Sequence, residues 1–207
     1  MSRDKRKLAG GILMGVGALL VCGALALFLW NQREDARAGA WAESLLPQVV
    51  VHIGENGGKE EEAVYDKAMT EVMIDGYAYI GYLSIPTLEL ELPVMSEWDY
   101  DRLKIAPCRY NGSTKTGDLV LCAHNYDRHF GNIKNLAIGD VVFFMDMDGV
   151  TDSYEVASVE ILQSTAVEDM TSGEYALTLF TCTYGGQSRV TVRCIRMEKT
   201  SAFSLIR

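Results

Sequence analysis

Leu177-Thr-Leu-Phe-Thr-Cys182-Thr-Tyr-Gly-Gly-Gln-Ser-Arg189-Val-Thr-Val-Arg193 decides how the rest of the chain is read. Its first part, residues 176–181, alternates and is rich in β-formers, which predicts a strand. Tyr184-Gly185-Gly186-Gln187-Ser188 has turn chemistry, because paired glycines take positive φ at no steric cost. Arg189 to Met197 then alternates again as a second strand. The hairpin sets a thiol at the end of one strand opposite a guanidinium at the start of the next. A nucleophile beside a fixed cation suits attack on a carbonyl whose developing oxyanion needs a donor.

An isolated pair of this kind is ordinarily a core cysteine and a surface arginine, since free Cys is among the most buried residue types. A second stretch, Leu119-Val-Leu-Cys-Ala-His124-Asn125, changes that reading: it is another apolar strand, and it ends in a histidine. Thiol, imidazole and guanidinium converging on one rim of a β-structure make a minimal kit for acyl transfer through a thioester. His129 is the rival base, but it precedes Phe130 in a polar stretch and lacks the strand-end context. His52 reads as a solvated residue of the connector. Arg193, four residues beyond Arg189 and so on the same strand face, is the rival cation. Arg189 is preferred because it opens the strand nearest the cysteine.

Thr178-Leu-Phe-Thr-Cys182 is similar to the TLxTC signature of sortases, the cysteine transpeptidases of Gram-positive cell surfaces. Ala123-His124-Asn125 resembles their histidine motif, and Arg189-Val-Thr-Val-Arg193 resembles the strand that opens with their essential arginine. The resemblance covers roughly Tyr77 to Met197. It implies a mostly β fold, a sortase-like closed β-barrel of about eight strands with short helices. It also implies catalytic roles for His124, Cys182 and Arg189, and substrate contacts from Thr181, Ala123 and Asn125; no cofactor and no metal are expected. The implied reaction is attack by Cys182 on the Thr–Gly amide of an LPxTG-like sorting signal. An amine acceptor, a peptidoglycan precursor or a pilin lysine, then resolves the acyl-enzyme. The short Cys182–Arg189 linker lacks the longer loop associated with pilin polymerases, and no aspartate–aromatic lid motif precedes Tyr77. Phe130-Gly-Asn-Ile-Lys-Asn-Leu136 faintly resembles class B, so class B-like and class D-like assignments both stay open. Two other functions compete: a surface cysteine peptidase that only hydrolyses, and an anchored β-domain scaffold with Cys182 in its core. An L,D-transpeptidase is disfavoured because its histidine normally lies close before its cysteine.

The chain has 207 residues, 48% of them hydrophobic, and a formal charge of −9. Arg3, Lys5, Arg6 and Lys7 precede a long apolar run, so the acidic excess lies in the rest of the chain. Such a balance offers no basic face to nucleic acid. There are five cysteines. With Cys22 in the apolar run and Cys182 assigned, an odd number remains, so a complete disulfide framework is not implied. No closely spaced Cys/His set suggests zinc.

Leu8 to Trp30 carries no charge and is long enough to cross a bilayer, for which about 20 residues suffice. The basic cluster before it marks the cytoplasmic side. A cleaved signal peptide is the alternative, helped by Ala24-Leu-Ala26, but the run exceeds a usual h-region. The expected organisation is a basic tail and transmembrane anchor (1–30), a linker or helical connector (31–74) and a catalytic barrel (75–207). Residues 8–30 would contact membrane lipid, leaving a single-pass protein with a cytoplasmic N-terminus and the catalytic domain outside. Within the connector, Asn31 to Leu46 reads as a short helix ended by Pro47. Val49 to Ile53 reads as a strand or an apolar knot, Gly54 to Glu62 as a flexible tether, and Ala63 to Ile74 as a helix. Strands are expected over Tyr77–Ile85, Leu88–Val94, Leu119–Ala123, Asp140–Met145 and Ser153–Leu162. A helical turn and loop should follow Trp98, and a short helix should lie within Asn125–Leu136. Asp146-Met-Asp-Gly149 reads as a hairpin turn in preference to a calcium loop, because it lacks the spaced acids and late glutamate of an EF-hand. The connection Ser164–Glu174 corresponds to the segment that walls the substrate groove in sortases.

Overall fold

Strand alternation does most of the building. In the computed structural model, which describes residues 3–56 and 68–198, nine strands share one sheet. They are β1 (Val72–Ile74), β2 (Tyr77–Ile85), β3 (Leu90–Met95), β4 (Cys108–Asn111), β5 (Leu119–Cys122), β6 (Val141–Asp146), β7 (Thr151–Gln163), β8 (Leu177–Cys182) and β9 (Ser188–Arg196). The order is β1-β2-β3-β4-β5-β8-β9-β7-β6, and an added β2–β6 pairing closes β2 to β9 into an eight-stranded barrel with β1 as an extra strand. Closure removes the open edges that would otherwise invite pairing with other chains. Gly81 permits it: at φ 145 it lies where β2 slips register against β3, and a Cβ there would collide with the Met145 carbonyl of β6.

Residues of one parity fill the barrel, among them Leu119, Leu121, Leu177, Leu179, Val192 and Cys194. Those of the other parity, including Val120, Cys122 and Phe180, form a second cluster on the outer face with Leu103, Ala106 and Met170. The outer cluster is the floor on which the site is built.

The chain divides into two units, 1–37 and 38–207. The described part of the first lies within a single helix, α1 (Arg3–Asn56), whose apolar residues such as Leu13, Leu19, Leu20 and Leu27 are exposed. By length and composition this helix could cross a membrane.

The second unit begins with the rest of α1, and here the connector departs from expectation. Pro47 does not end the helix, and Val49–Ile53 is helical. Ala38, Ala42, Leu45, Val49 and Ile53 recur at helical spacing and are all buried, while Pro47 sits on the exposed side. A helix-interior proline costs about 3 kcal/mol. Burying Leu45, Val49 and Ile53 returns about 1.5–3 kcal/mol each, so packing prevails.

Of the expected tether, residues 54–56 continue α1 and the rest lies outside the described residues, as do residues 63–67 of the expected second helix. The described part of that helix, residues 68–74, is not helical and ends in strand β1 (Val72–Ile74), paired with β2. The helix expected in Asn125–Leu136 is reduced to a 3-10 turn at Ile133–Asn135, although Phe130, Ile133 and Leu136 are buried as foreseen. The loop folds back on itself: Gly131 N–H donates to the Tyr126 carbonyl at 2.8 Å, and a Cβ on Gly131 would press against the Asn125 and Tyr126 carbonyls at 2.7 Å. The acidic turn after β6 is occupied by Lys115, whose Nζ lies 3.1 Å from Asp146 and 3.2 Å from Asp148.

Candidate active site

Strand register brings the three sequence-singled residues together. β5 and β8 run parallel with Val120 opposite Thr178 and Cys122 opposite Phe180, so continuing the ladder sets His124 level with Cys182. β8 and β9 run antiparallel with Cys182 directly opposite Arg189. Neighbouring strands lie about 4.8 Å apart, which makes His124, Cys182 and Arg189 a row of adjacent positions. Parity gives them a common face. His124 alternates with Cys122 and Val120, and Cys182 with Phe180, both on the outer side. Arg189 alternates with Thr191 and Arg193, while Val190 and Val192 pack on the barrel interior.

All three line one cavity of about 140 Å³. One wall is aromatic: Trp98, Tyr110 and Phe180 succeed one another with ring centroids 5.5 and 5.1 Å apart. The facing wall comes from Ala166, Val167 and Met170, around the short helix α2 (Val167–Met170). The lining suits a mainly apolar ligand, with polar contacts at the end that carries His124, Cys182 and Arg189.

The hairpin turn presets Arg189. Its Nη1 donates to the Gly186 carbonyl at 2.9 Å and to that of Ser188 at 3.1 Å. The two other guanidinium nitrogens remain for a substrate oxygen. His124 is held by its loop, its carbonyl accepting from Phe130 N–H at 3.1 Å and its ring lying 4.9 Å from that of Tyr126. Burial, and secondarily the Lys104 cation, push its pKa below the ordinary histidine value. A neutral imidazole ready to accept a proton is therefore the resting form at neutral pH.

A pH experiment tests this. The acid limb of kcat/KM against pH should lie below that of an unperturbed histidine, because protonation disables the base only at lower pH. Lys104→Gln removes one lowering influence, so the limb should move to higher pH. A limb that stays in place or moves the other way would take Lys104 out of the electrostatics of His124.

The remaining residues sort clearly. Ala123 lines the cavity. Thr181, expected at the substrate, has its hydroxyl committed elsewhere. It lies on the inner face between Leu179 and the strand end, is buried, and donates to the Ala123 carbonyl at 2.8 Å. It ties the histidine strand to the cysteine strand. Asn125 lines a separate cavity of about 390 Å³, which shares Cys182 with the first. His129 is wholly buried behind Tyr126 and does not line the reacting cavity.

Arg193, the rival cation, is committed to structural contacts that have no local sequence signal. Only 4% exposed, it donates from Nε to Glu160 at 2.8 Å, from Nη1 to the Met170 carbonyl and the Thr178 hydroxyl at 3.2 Å, and from Nη2 to the Asp169 carbonyl at 2.7 Å. It caps the C-terminal carbonyls of α2 and so holds one cavity wall in place.

A family model described as the Sortase domain matches residues 83–197. No curated protein matches the chain. Among solved structures, sortase C1 from Streptococcus suis is similar at 26% identity and TM-score 0.51, over 59% of this chain and 75% of that one. A sortase D5 transpeptidase from Clostridium perfringens is similar at 16% identity and TM-score 0.59, over 75% of this chain and 99% of that one. Sortase C of Clostridium perfringens, solved with the C-terminal cell wall sorting motif, is similar at 20% identity and TM-score 0.52, over 75% and 90%. The last two share the fold with this chain.

Proposed function

The chain belongs to the sortase family, and from that premise we propose that it is a membrane-anchored cysteine transpeptidase acting on an LPxTG-like sorting signal. The observation that carries this reading is the register that sets Cys182 level with His124 on one side and Arg189 on the other, within one apolar-walled cavity. The apolar start of such a signal fits between the aromatic wall and α2.

Cys182 Sγ attacks the carbonyl carbon of the Thr–Gly amide as its proton passes to His124. Arg189, already fixed by the turn carbonyls, donates N–H to the carbonyl oxygen as negative charge builds there. The His124 imidazolium then protonates the departing glycine nitrogen, the C–N bond breaks, and a thioester remains on Cys182. An acceptor amine loses a proton to His124 and attacks the thioester carbon, which forms the new amide and restores the thiol. The apolar part of α1 anchors the enzyme, with the catalytic domain on the outer side of the membrane and the basic tail inside.

Mass spectrometry of reactions between a panel of sorting-signal peptides and candidate amines tests the proposal. Cleavage at Thr–Gly should yield an acyl–amine product that appears only with a suitable amine. Hydrolysed peptide alone, at every amine concentration, would reduce the enzyme to a peptidase. No cleavage of any peptide in the panel would remove the proposed substrate.

A further inference from the structure

Two thiols that the mechanism leaves unused stand opposite one another beside the site. Cys108 of β4 and Cys122 of β5 are direct partners in an antiparallel ladder, so their side chains leave the sheet on the same face. Both are buried thiols of the outer cluster, and Cys122 also lines the reacting cavity. Directly opposed antiparallel residues have Cα atoms about 4.5–5.5 Å apart, inside the window of roughly 4.4–6.8 Å that a disulfide spans.

The other pairings fail the same test. Cys122 lies opposite Phe180, and Cys182 is two residues further along β8. Strand spacing and rise then put the Cys122 and Cys182 Cα atoms about 8 Å apart, beyond a disulfide's reach without backbone movement. Cys194 packs in the barrel interior, opposite Val156 and Leu177.

We propose that Cys108 and Cys122 are a disulfide-forming pair that cross-links β4 to the histidine-bearing strand. The bond closes the segment between them, which contains the Asn111–Asp118 turn, and pins the strand that delivers His124. It also removes the second thiol from the cavity, leaving Cys182 as the only thiol there. This inference does not depend on the sorting-signal reading, because it concerns a covalent bond that forms without substrate.

The oxidant is a small-molecule disulfide or a protein disulfide donor. The Cys122 thiolate attacks it, one donor thiol leaves, and a mixed disulfide forms. Cys108 then attacks the Cys122 sulfur, joins it and releases the second donor thiol. Two protein thiols are oxidised, one disulfide is reduced to two thiols, and the two protons end on the released thiols. Burial keeps both cysteines protonated once folded, so closure belongs to folding, as the strands come together.

The full chain in detergent micelles, refolded with oxidised and reduced glutathione, provides the test. Remaining thiols are blocked with iodoacetamide in denaturant, so that buried cysteines react as well, and peptides are mapped without reductant. The expected species joins the Cys108 and Cys122 peptides, with Cys182 and Cys194 alkylated. Reduction should lower Tm by about 5–10 °C, the size expected for a loop of this length, and should leave a Cys108→Ala/Cys122→Ala double variant unmoved. Full alkylation of both Cys108 and Cys122 in the oxidatively refolded chain, or a Cys122–Cys182 bond in its place, overturns the inference. Should the double variant fail to fold, the peptide map of the unaltered chain decides alone.

Discussion

Cys182→Ala is expected to lower transpeptidation by about 10⁴-fold or more, because no other group in the cavity can form the acyl-enzyme. The fold should be untouched. Cys182 sits at the end of β8, half-buried, beyond the last position packed in either core cluster. Loss of its sulfur removes little buried apolar area, so the Tm shift should stay within a degree or two, by the scale of surface substitutions. The remaining thiols of the barrel cannot substitute. Burial pushes the Cys108 and Cys194 thiols up to about 12, and the Cys122 thiol higher still. Intact-mass analysis during turnover should show an adduct equal to the acyl half of the sorting peptide on the unaltered chain and none on the variant. A variant that retains turnover, or still carries the adduct, would refute the assignment of the nucleophile.

The strands around the site were legible because a barrel strand with one face packed inside must alternate. Tyr77–Ile85 formed with the expected bounds, and the strand expected over 176–181 formed as Leu177–Cys182, one residue further along. The meeting of Cys182 with Arg189 was equally visible, since a short glycine turn between two alternating segments leaves only an antiparallel hairpin. His124 was harder. Its strand reaches Cys182 through a parallel pairing between segments far apart in sequence, and the resemblance of the motif, not local pattern, supplied that link. The helix through Pro47 was hidden for a different reason. Its buried stripe begins with two alanines, which carry little hydropathy, and a proline dominates any local test. Arg193 shows the same limit in the site itself. The carbonyls it caps belong to Asp169 and Met170, in a connection without periodic signal, so its structural role could not be read from the strand it sits on.

The two arginines of β9 should therefore separate under mutation. Arg189→Lys keeps the charge but loses the fork that the turn carbonyls orient, so kcat should fall by about 10²–10³-fold, the loss typical of a removed oxyanion donor. Tm should barely change, because Arg189 bonds only to carbonyls of an exposed turn. Arg193→Met is the opposite case. The substitution keeps an unbranched side chain of comparable reach but removes every donor, leaving the Thr178 hydroxyl and two α2 carbonyls without it. Stranding one partner of a fully buried ion pair costs about 3–5 kcal/mol. Glu160 is 41% exposed and can rehydrate, so about 2–3 kcal/mol is the better expectation here. That corresponds to a Tm lower by roughly 5–10 °C. Below that temperature Cys182, His124 and Arg189 are all in place, so kcat should hold within a few-fold. KM should rise, because the α2 wall has lost its anchor. Thermal melts and steady-state kinetics on both variants decide the matter. If Arg193→Met proved stable and catalytically dead while Arg189→Lys kept full kcat, the roles would be reversed, and the oxyanion donor would have to reach the thiol from the middle of β9.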